Sequence, residues 1–147
     1  MSRYRRVNLD GLSVTETRSA AAALLPGTFA VINGDDEFAA ATAIVGRMYV
    51  INPAYSQGLG ITDPVPAGDS AVGEYVEESR ELAVRVGPGT YTKDQPITVN
   101  ATGQAIAVPA TAGTYTIIGY SQDDATIASG TTDFIRIRVR ASAVTVS

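Results

Sequence analysis

The acidic side chains that could act as catalysts fall in adjacent pairs. This spacing does not suit acid–base catalysis by two cooperating carboxyl groups. The pairs are Asp35-Asp36, Glu77-Glu78 and Asp123-Asp124. Neighbours in an extended strand point to opposite faces, so one pair cannot act on a single substrate atom. A glycosidase built on Glu77 or Glu81 would need two carboxyl groups about 5–10 Å apart in a cleft. Nothing in this spacing predicts that arrangement, and the chain has no Trp to stack on a sugar.

Other residue types that carry chemistry are missing. The 147-residue chain contains no His and no Cys. It can therefore form neither a Ser-His-Asp nor a Cys-His nucleophile, and it cannot form a zinc site of the Cys/His type. Calcium would suit the carboxylates, but the ordered D-x-D-x-D-G loop is absent. We expect no enzymatic activity, no metal and no cofactor.

Positive charge is concentrated near the two ends of a chain whose net charge is −4. The two groups are Arg3, Arg5 and Arg6, and the alternating Arg136, Arg138 and Arg140. Alternate residues of a strand share a face, so the second group forms a stripe. The stripe either pairs with acidic side chains of a neighbouring strand or docks an acidic partner. The remaining acidic body and the shortage of stacking aromatics argue against nucleic acid.

A mainly β fold must carry these groups. Val, Ile and Thr total 42 residues against 6 Leu, and β-branched side chains favour pleated strands. Turn signals such as Asn33-Gly34 separate the strands, as in a small β-barrel or β-sandwich of one domain. The predicted strands are Thr28–Ile32, Glu37–Ala41, Arg47–Ile51, Val72–Glu77, Glu81–Val86, Ile97–Asn100, Gln104–Val108, Thr114–Tyr120 and Phe134–Val146.

Residues 1–26 are predicted to be an N-terminal arm on a β domain of residues 27–147. Ser13 and Glu16 have the spacing of a capping box, and Ala-rich sequence follows, which favours a short helix in the arm. The β-branched residues around them favour an extended arm that orders on a partner. Both conformations stay open at this point. No run of about 18 apolar residues predicts a membrane span, and we expect no membrane partner.

A long Pro- and Gly-rich loop, Asn52–Gly68, is a further candidate for binding. Loops of this length are uncommon and are often functional. Tyr55 is its candidate exposed aromatic residue, and Tyr is common at interfaces. We take Tyr55, together with Leu24 and Leu25 at the end of the arm, as candidate interface residues beside the six arginines.

The order of elements over residues 22–140 resembles that of a known family. The segments that carry the resemblance are Ala22–Thr28 (AALLPGT), the hairpin after it, Arg47–Ile51, the loop ending at Ala67–Asp69, Val84–Tyr91 (VRVGPGTY) leading to Asp94–Asn100, Thr114–Asp123 (TYTIIGYSQD) and the closing Arg/Ile/Val strand. This layout is similar to that of the small head-decoration, or cement, proteins of tailed bacteriophages, of the kind that lambda carries on its capsid.

The resemblance implies a structural virion protein on the outer surface of the capsid. Such a protein binds the major capsid protein, usually as a homotrimer, and stabilises the assembled head by bridging capsomers. Residues 1–26 would correspond to the arm that reaches onto the capsid lattice. The alternative is another non-enzymatic virion component, such as a tail-tube, head-fibre or adaptor subunit.

Overall fold

The fold was established from a computed structural model, which describes residues 2–11 and 14–147. Within these ranges the chain forms twelve strands and one short 3-10 helix, Tyr55–Gln57. The mainly β class is confirmed. The strands are β1 Thr15–Ser19, β2 Phe29–Ile32, β3 Phe38–Ala40, β4 Tyr49–Ile51, β5 Ser70–Tyr75, β6 Glu81–Val86, β7 Gly89–Tyr91, β8 Pro96–Val99, β9 Ala105–Ala107, β10 Gly113–Ser121, β11 Ala125–Ile127 and β12 Asp133–Val146.

The first half of the chain forms an open antiparallel sheet in the order β1-β5-β4-β2-β3. Its β2–β3 hairpin turns at Asn33, as the Asn33-Gly34 pair predicted. The side-chain oxygen of Asn33 accepts the backbone N–H groups of Asp35 and Glu37, both at 3.0 Å. These local hydrogen bonds satisfy the turn backbone and explain why this short segment fixes the hairpin.

The second half of the chain forms a closed barrel in the order β10-β12-β6-β9-β8. Its neighbouring strands are antiparallel except β6 and β9, which meet in parallel at Val86 and Ala105. A separate two-stranded sheet pairs β7 with β11. The sequence did not predict these two strands, because Gly89 lies in a turn-like Gly-Pro-Gly segment and β11 lies within a polar loop.

Two main hydrophobic cores lie beneath these sheets. The barrel core contains Val84, Ile135 and Ile137 together with Phe29 of β2, so the open sheet contributes to it. The second core contains Phe38 and Tyr49, whose rings meet edge to face at 5.3 Å between centroids. Burying one such apolar side chain contributes about 1.5–3 kcal/mol, so the cores dominate the favourable free energy of folding.

The short helix considered for the arm is wrong. Thr15–Ser19 is a strand, and every residue of it pairs with one residue of β5, from Thr15 with Glu74 to Ser19 with Ser70. β-Branched residues at alternate positions suit this edge strand. Pairing with β5 satisfies the backbone N–H and C=O groups of the segment, whereas an isolated helix of this length would be only marginally stable. Ser13, the proposed cap, lies outside the described residues.

The rest of the N-terminal segment also packs on the β domain. Val7 is fully buried in the barrel core, and its carbonyl accepts the N–H of Ala83 at 2.9 Å. Leu24 bridges Val65 through two backbone hydrogen bonds of 3.0 and 2.8 Å. Residues before and after Pro26 therefore share the same cores within the described part of the chain, and the N-terminal segment is extended.

Buried Arg85 connects three surrounding segments to the barrel. Its guanidinium donates to the carbonyls of Pro26 and Ile61, at 2.9 and 3.0 Å, and to the hydroxyl of Thr132 at 2.7 Å. It also lies 4.7 Å from the ring centroid of Phe134. Burial lowers the pKa of Arg85. This side chain fixes the long loop after β4 relative to the N-terminal segment.

Candidate functional site

Tyr4 and the backbone of Arg3 hold the basic N-terminal residues against the barrel. The Tyr4 hydroxyl donates to Asp123 Oδ2 at 2.5 Å, and the Arg3 N–H donates to Asp133 Oδ1 at 2.9 Å. Burial, and then the hydrogen bond to Asp123, raises the pKa of Tyr4 to about 12. The Arg3 guanidinium lies 3.7 Å from Asp123, so its charge is partly compensated. These contacts set the course of the residues that follow.

Arg5 and Arg6 meet Tyr55, although some 50 residues separate them in sequence. The Tyr55 hydroxyl donates to the Arg5 carbonyl at 2.8 Å, while 58% of the residue stays exposed. Burial raises the pKa of Tyr55, and the nearby positive charge of Arg6 opposes this shift. Within the described residues no carboxylate forms an ion pair with either guanidinium. We call Arg5, Arg6 and Tyr55 the basic rim.

The basic rim borders a cleft of about 680 Å³. Residues 6–11 form one wall, and the segment 52–56 forms the other. Small side chains of β1 and β5, including Thr17 and Val72, form the floor. The volume falls in the range of about 300–1,000 Å³ that is typical of binding pockets. The long loop and the N-terminal segment together therefore create a concave surface.

A buried ion-pair network underlies this cleft. Glu74 Oε1 lies 2.9 Å from Arg80 Nη2, and Arg80 Nε lies 3.1 Å from Asp10 Oδ2. Asn8 and Asn52 donate their side-chain amides to the two oxygens of Glu74, at 3.3 and 2.8 Å. Burial alone would lower the pKa of Arg80, but its hydrogen bonds to Glu74 and Asp10 outweigh that effect and raise it.

The acidic side chains of the cleft and of the segment after β5 are engaged in structural contacts. The Glu74 carboxylate is buried and bonded through both oxygens, so it is not placed to exchange a proton with a substrate. Glu81 lies 3.4 Å from Arg138, and Glu78 accepts the Ala141 N–H at 2.6 Å. Among residues 2–11 and 14–147, no cluster of His, Cys, Asp or Glu could hold a metal ion. The arrangement suits binding through the basic rim.

The arginine stripe is largely paired within the molecule. Arg136 lies 3.9 Å from Asp123 and 4.0 Å from Glu81, and Arg138 shares Glu81 and donates to the carbonyl of Ser79. A register shift between β10 and β12 follows, and Arg140 is exposed without an ion pair in the described structure. The stripe therefore offers less free charge than its sequence indicates.

The two candidate leucines differ in exposure. Leu24 is only 4% exposed and packs in the second core, so it is not available to a partner in this conformation. Leu25 remains 39% exposed. Of the nine predicted residues, the structure brings Arg5, Arg6 and Tyr55 together and places Arg3 beside Arg136 across Asp123.

Sequence reasoning missed the residues beneath the cleft. Asn8, Asn52, Glu74 and Arg80 come from four separate segments, and no local motif relates them. One weak signal is present: Arg80 lies directly before a strongly apolar strand, where a buried charge would need partners. The partners themselves are defined only by the packing of the open sheet against residues 8–10.

The fold is that of a mainly β domain with a concave surface between its N-terminal segment and its long loop. Residues 5–139 match the model of a family described as XM1 gp53 minor capsid protein, and the chain belongs to this family. The prediction of a structural bacteriophage protein associated with the virion is confirmed at this level. No curated protein matches the chain. No helix in the described part of the chain is long and apolar enough to cross a membrane.

A solved structure shares the fold. It is the crystal structure of the head fiber gp8.5 N base in bacteriophage phi29, with a TM-score of 0.55 and 13% sequence identity. The match covers 88% of this chain and 95% of that chain. At this identity the similarity shows a common fold.

Proposed function

We propose that this chain binds the outer surface of the assembled phage head and stabilises it by bridging capsomers. Membership of a minor capsid protein family supports this proposal, and the unpaired charges of Arg5 and Arg6 beside exposed Tyr55 indicate the contact. The proposed partner is the major capsid protein. Because the chain as a whole is acidic, a basic rim lets it approach an acidic capsid patch that would otherwise repel it.

The basic rim is the centre of the proposed capsid contact. Its cleft can receive a protruding segment of the capsid surface, because Asn8 and Asn52 on the two walls both bond to Glu74, which pairs with buried Arg80. Arg3, Leu25 and the stripe Arg136, Arg138 and Arg140 form the proposed periphery of the contact. Leu24 is excluded from it by burial.

We further propose that the chain acts as a homotrimer on the head. A single rim with two free cations is a weak contact, because exposed charge pairs contribute at most about 1 kcal/mol each. Several copies joined on a symmetric lattice bind together, and the effective concentration of the second and third contacts raises the overall affinity. A trimer that contacts neighbouring capsomers would thereby bridge them.

Co-sedimentation with heads that lack this protein tests the proposed contact. The double variant Arg5→Ala/Arg6→Ala should bind at least about tenfold more weakly than the wild type, which corresponds to about 1.4 kcal/mol. The matched control is Arg47→Ala/Lys93→Ala, which also removes two exposed cations without an ion pair in the described structure. Control and test variants that bind equally would contradict the rim as the contact. Cryo-electron microscopy of the particle would show whether the chain lies outside the head and between capsomers.

A second candidate function is the capsid-proximal base of a head fibre. The shared fold, which covers 95% of the phi29 head fiber base chain, favours it. Heads with and without this chain separate the two candidates. A bridging protein should raise the temperature at which heads release DNA. A fibre base should leave that temperature unchanged and add a projecting density at each occupied position.

A further inference from the structure

The strands β10 and β12 continue past the barrel as a two-stranded ribbon. Five residue pairs form it, from Gly113 with Val146 to Ile117 with Ser142. Strand β6 pairs with β12 only as far as Arg138, and β8 pairs with β10 only at its far end. No third strand of the described chain pairs with the ribbon. A two-stranded ribbon is marginally stable in water, so it needs a surface to pack on.

The ribbon has one apolar face. Tyr115 lies directly opposite Val144, and Val146 follows two residues later on the same face, all three partly buried. At the base this face continues into Ile117, which is 1% exposed. The opposite face is exposed and carries Thr114, Thr116, Ala143 and Thr145.

At its base the ribbon borders a groove of about 230 Å³, which lies between the ribbon and the loop before β4. Ile117 and Val139 line the groove on the barrel side, and Val45, which is 51% exposed, lines it on the loop side. Glu77 and Glu78 also line it, so the uncharged surface is that of the ribbon itself.

The ribbon also lacks the charges that normally protect exposed strand edges. No residue from Gln95 to Gln122 is charged, a run of 28 residues, and none from Ala141 to Ser147 carries a charged side chain. Exposed strands in stable monomers usually carry Lys, inward-pointing charges or Pro that prevent edge and face association. This ribbon carries none of them within its paired residues.

We propose that the apolar face of the ribbon, Tyr115, Val144 and Val146, packs against the same face of other copies of this chain. The chain carries a net charge of −4, so two copies repel each other except where their surfaces are uncharged. The ribbon is such a surface, and contact between two ribbons buries no unpaired charge. The inference rests on the proposed homotrimer and names the contact that holds it together.

Cysteine cross-linking tests the contact directly, since the natural chain has no Cys. Val144→Cys should form covalent dimers on mild oxidation, because equivalent residues meet around the symmetry axis. Ala143→Cys is the matched control, since Ala143 is the adjacent residue on the exposed opposite face. Cross-linking of Val144→Cys that does not exceed that of the control would overturn the proposal.

The oligomeric state in solution gives a second test. The full wild-type chain should be oligomeric by light scattering, Val144→Lys should raise the dissociation constant at least about tenfold, and Ala143→Lys should leave it unchanged. A monomeric wild type, or two lysine variants with equal effects, would overturn the proposal. Both lysines replace side chains that are at least partly exposed, so circular dichroism should show an intact fold.

Head binding separates this inference from the proposed function. If wild-type chains associate through the ribbon but do not bind heads, the ribbon contact stands and capsid attachment is contradicted. If the chains are monomeric but bind heads, capsid attachment stands and the ribbon contact is contradicted. If Val144→Lys lowers head binding without any oligomer in the wild type, the face is covered by the capsid, and self-association is overturned.

Discussion

Arg80 and Glu74 form an ion pair of 2.9 Å in the interior, where Arg80 is fully buried and the Glu74 side chain is 4% exposed. Asp10 adds a second carboxylate to Arg80, and it also accepts the Glu81 N–H at 2.9 Å. One guanidinium thus connects the N-terminal segment, the open sheet and the start of β6. This network holds the wall and the floor of the cleft in one arrangement.

Replacing Arg80 with Ala should lower the free energy of unfolding by about 3–5 kcal/mol, because two carboxylates would lose their buried counter-charge. Urea denaturation measures this loss. The control Arg138→Ala removes a half-exposed arginine 3.4 Å from Glu81 and should cost at most about 1 kcal/mol. The double variant Arg80→Met/Glu74→Leu should be more stable than Arg80→Ala. Similar losses in Arg80→Ala and Arg138→Ala would contradict the structural role of the network.

Gly27→Ala should be strongly destabilising. Gly27 has a φ of +86°, and an added Cβ would lie 2.3 Å from the Phe134 ring and 2.9 Å from the backbone nitrogen of Arg85. Strain and overpacking together should cost about 2–5 kcal/mol. Gly58 has a φ of +73° with open space around it, so Gly58→Ala should cost only about 1–2 kcal/mol. Thermal denaturation of both variants checks this difference, and equal losses would argue against the close contact.

Stability should fall at alkaline pH because of Tyr4. Its pKa is raised from 10.0 to about 12, so the folded chain keeps a proton that the unfolded chain has already released. The stabilisation is complete below pH 10 and is lost as the pH rises through 12. Absorbance of tyrosinate should show a late transition that is smaller by one tyrosine in Tyr4→Phe, since burial also raises the pKa of Tyr55 and Tyr91. Asp123→Asn should move this transition to lower pH, since it removes the adjacent negative charge. Superimposable titrations of the three proteins would contradict this assignment.

Removing residues 1–26 provides a test on which sequence and structure give different expectations. The sequence predicted that residues 27–147 would remain folded, since the strand signals lie there. The structure predicts a melting temperature lower by about 10 °C or more, because β1 and the buried Val7 are lost and Arg80 loses Asp10. Removal of residues 1–6 is the control. It retains Val7, so it should lower the melting temperature much less. A stable 27–147 fragment would show that the N-terminal segment contributes little to the stability of the domain.

Attachment to heads should weaken as salt concentration rises. Arg5 and Arg6 are exposed, and charges at such positions are screened over about 8–10 Å near physiological ionic strength. Co-sedimentation at low and high salt should show a strong dependence for the wild type and a weaker one for Arg5→Ala/Arg6→Ala. Salt-independent binding would shift the proposed contact to Tyr55 and the uncharged lining of the cleft.

Local sequence predicted most of the strands. Glu81–Val86 was predicted with its observed bounds, because alternating β-branched and apolar residues favour a pleated strand whatever it pairs with. The turn at Asn33 was also predictable, because the hydrogen bonds of its side chain reach only four residues along the chain. The lack of His and Cys likewise excluded whole classes of catalysis without any structure.

Tertiary packing decided the N-terminal segment and the site. Thr15–Ser19 is a strand because β5, some 55 residues later, supplies its hydrogen-bonding partner, and short-range pattern carries no information on that pairing. Arg5, Arg6 and Tyr55 meet because the Asn52–Gly68 loop folds back over the N-terminal residues. Packing also buries Arg80 and Arg85. Carboxylates of Asp10 and Glu74 converge on the Arg80 guanidinium, and the carbonyls of Pro26 and Ile61 converge on that of Arg85, where they replace water.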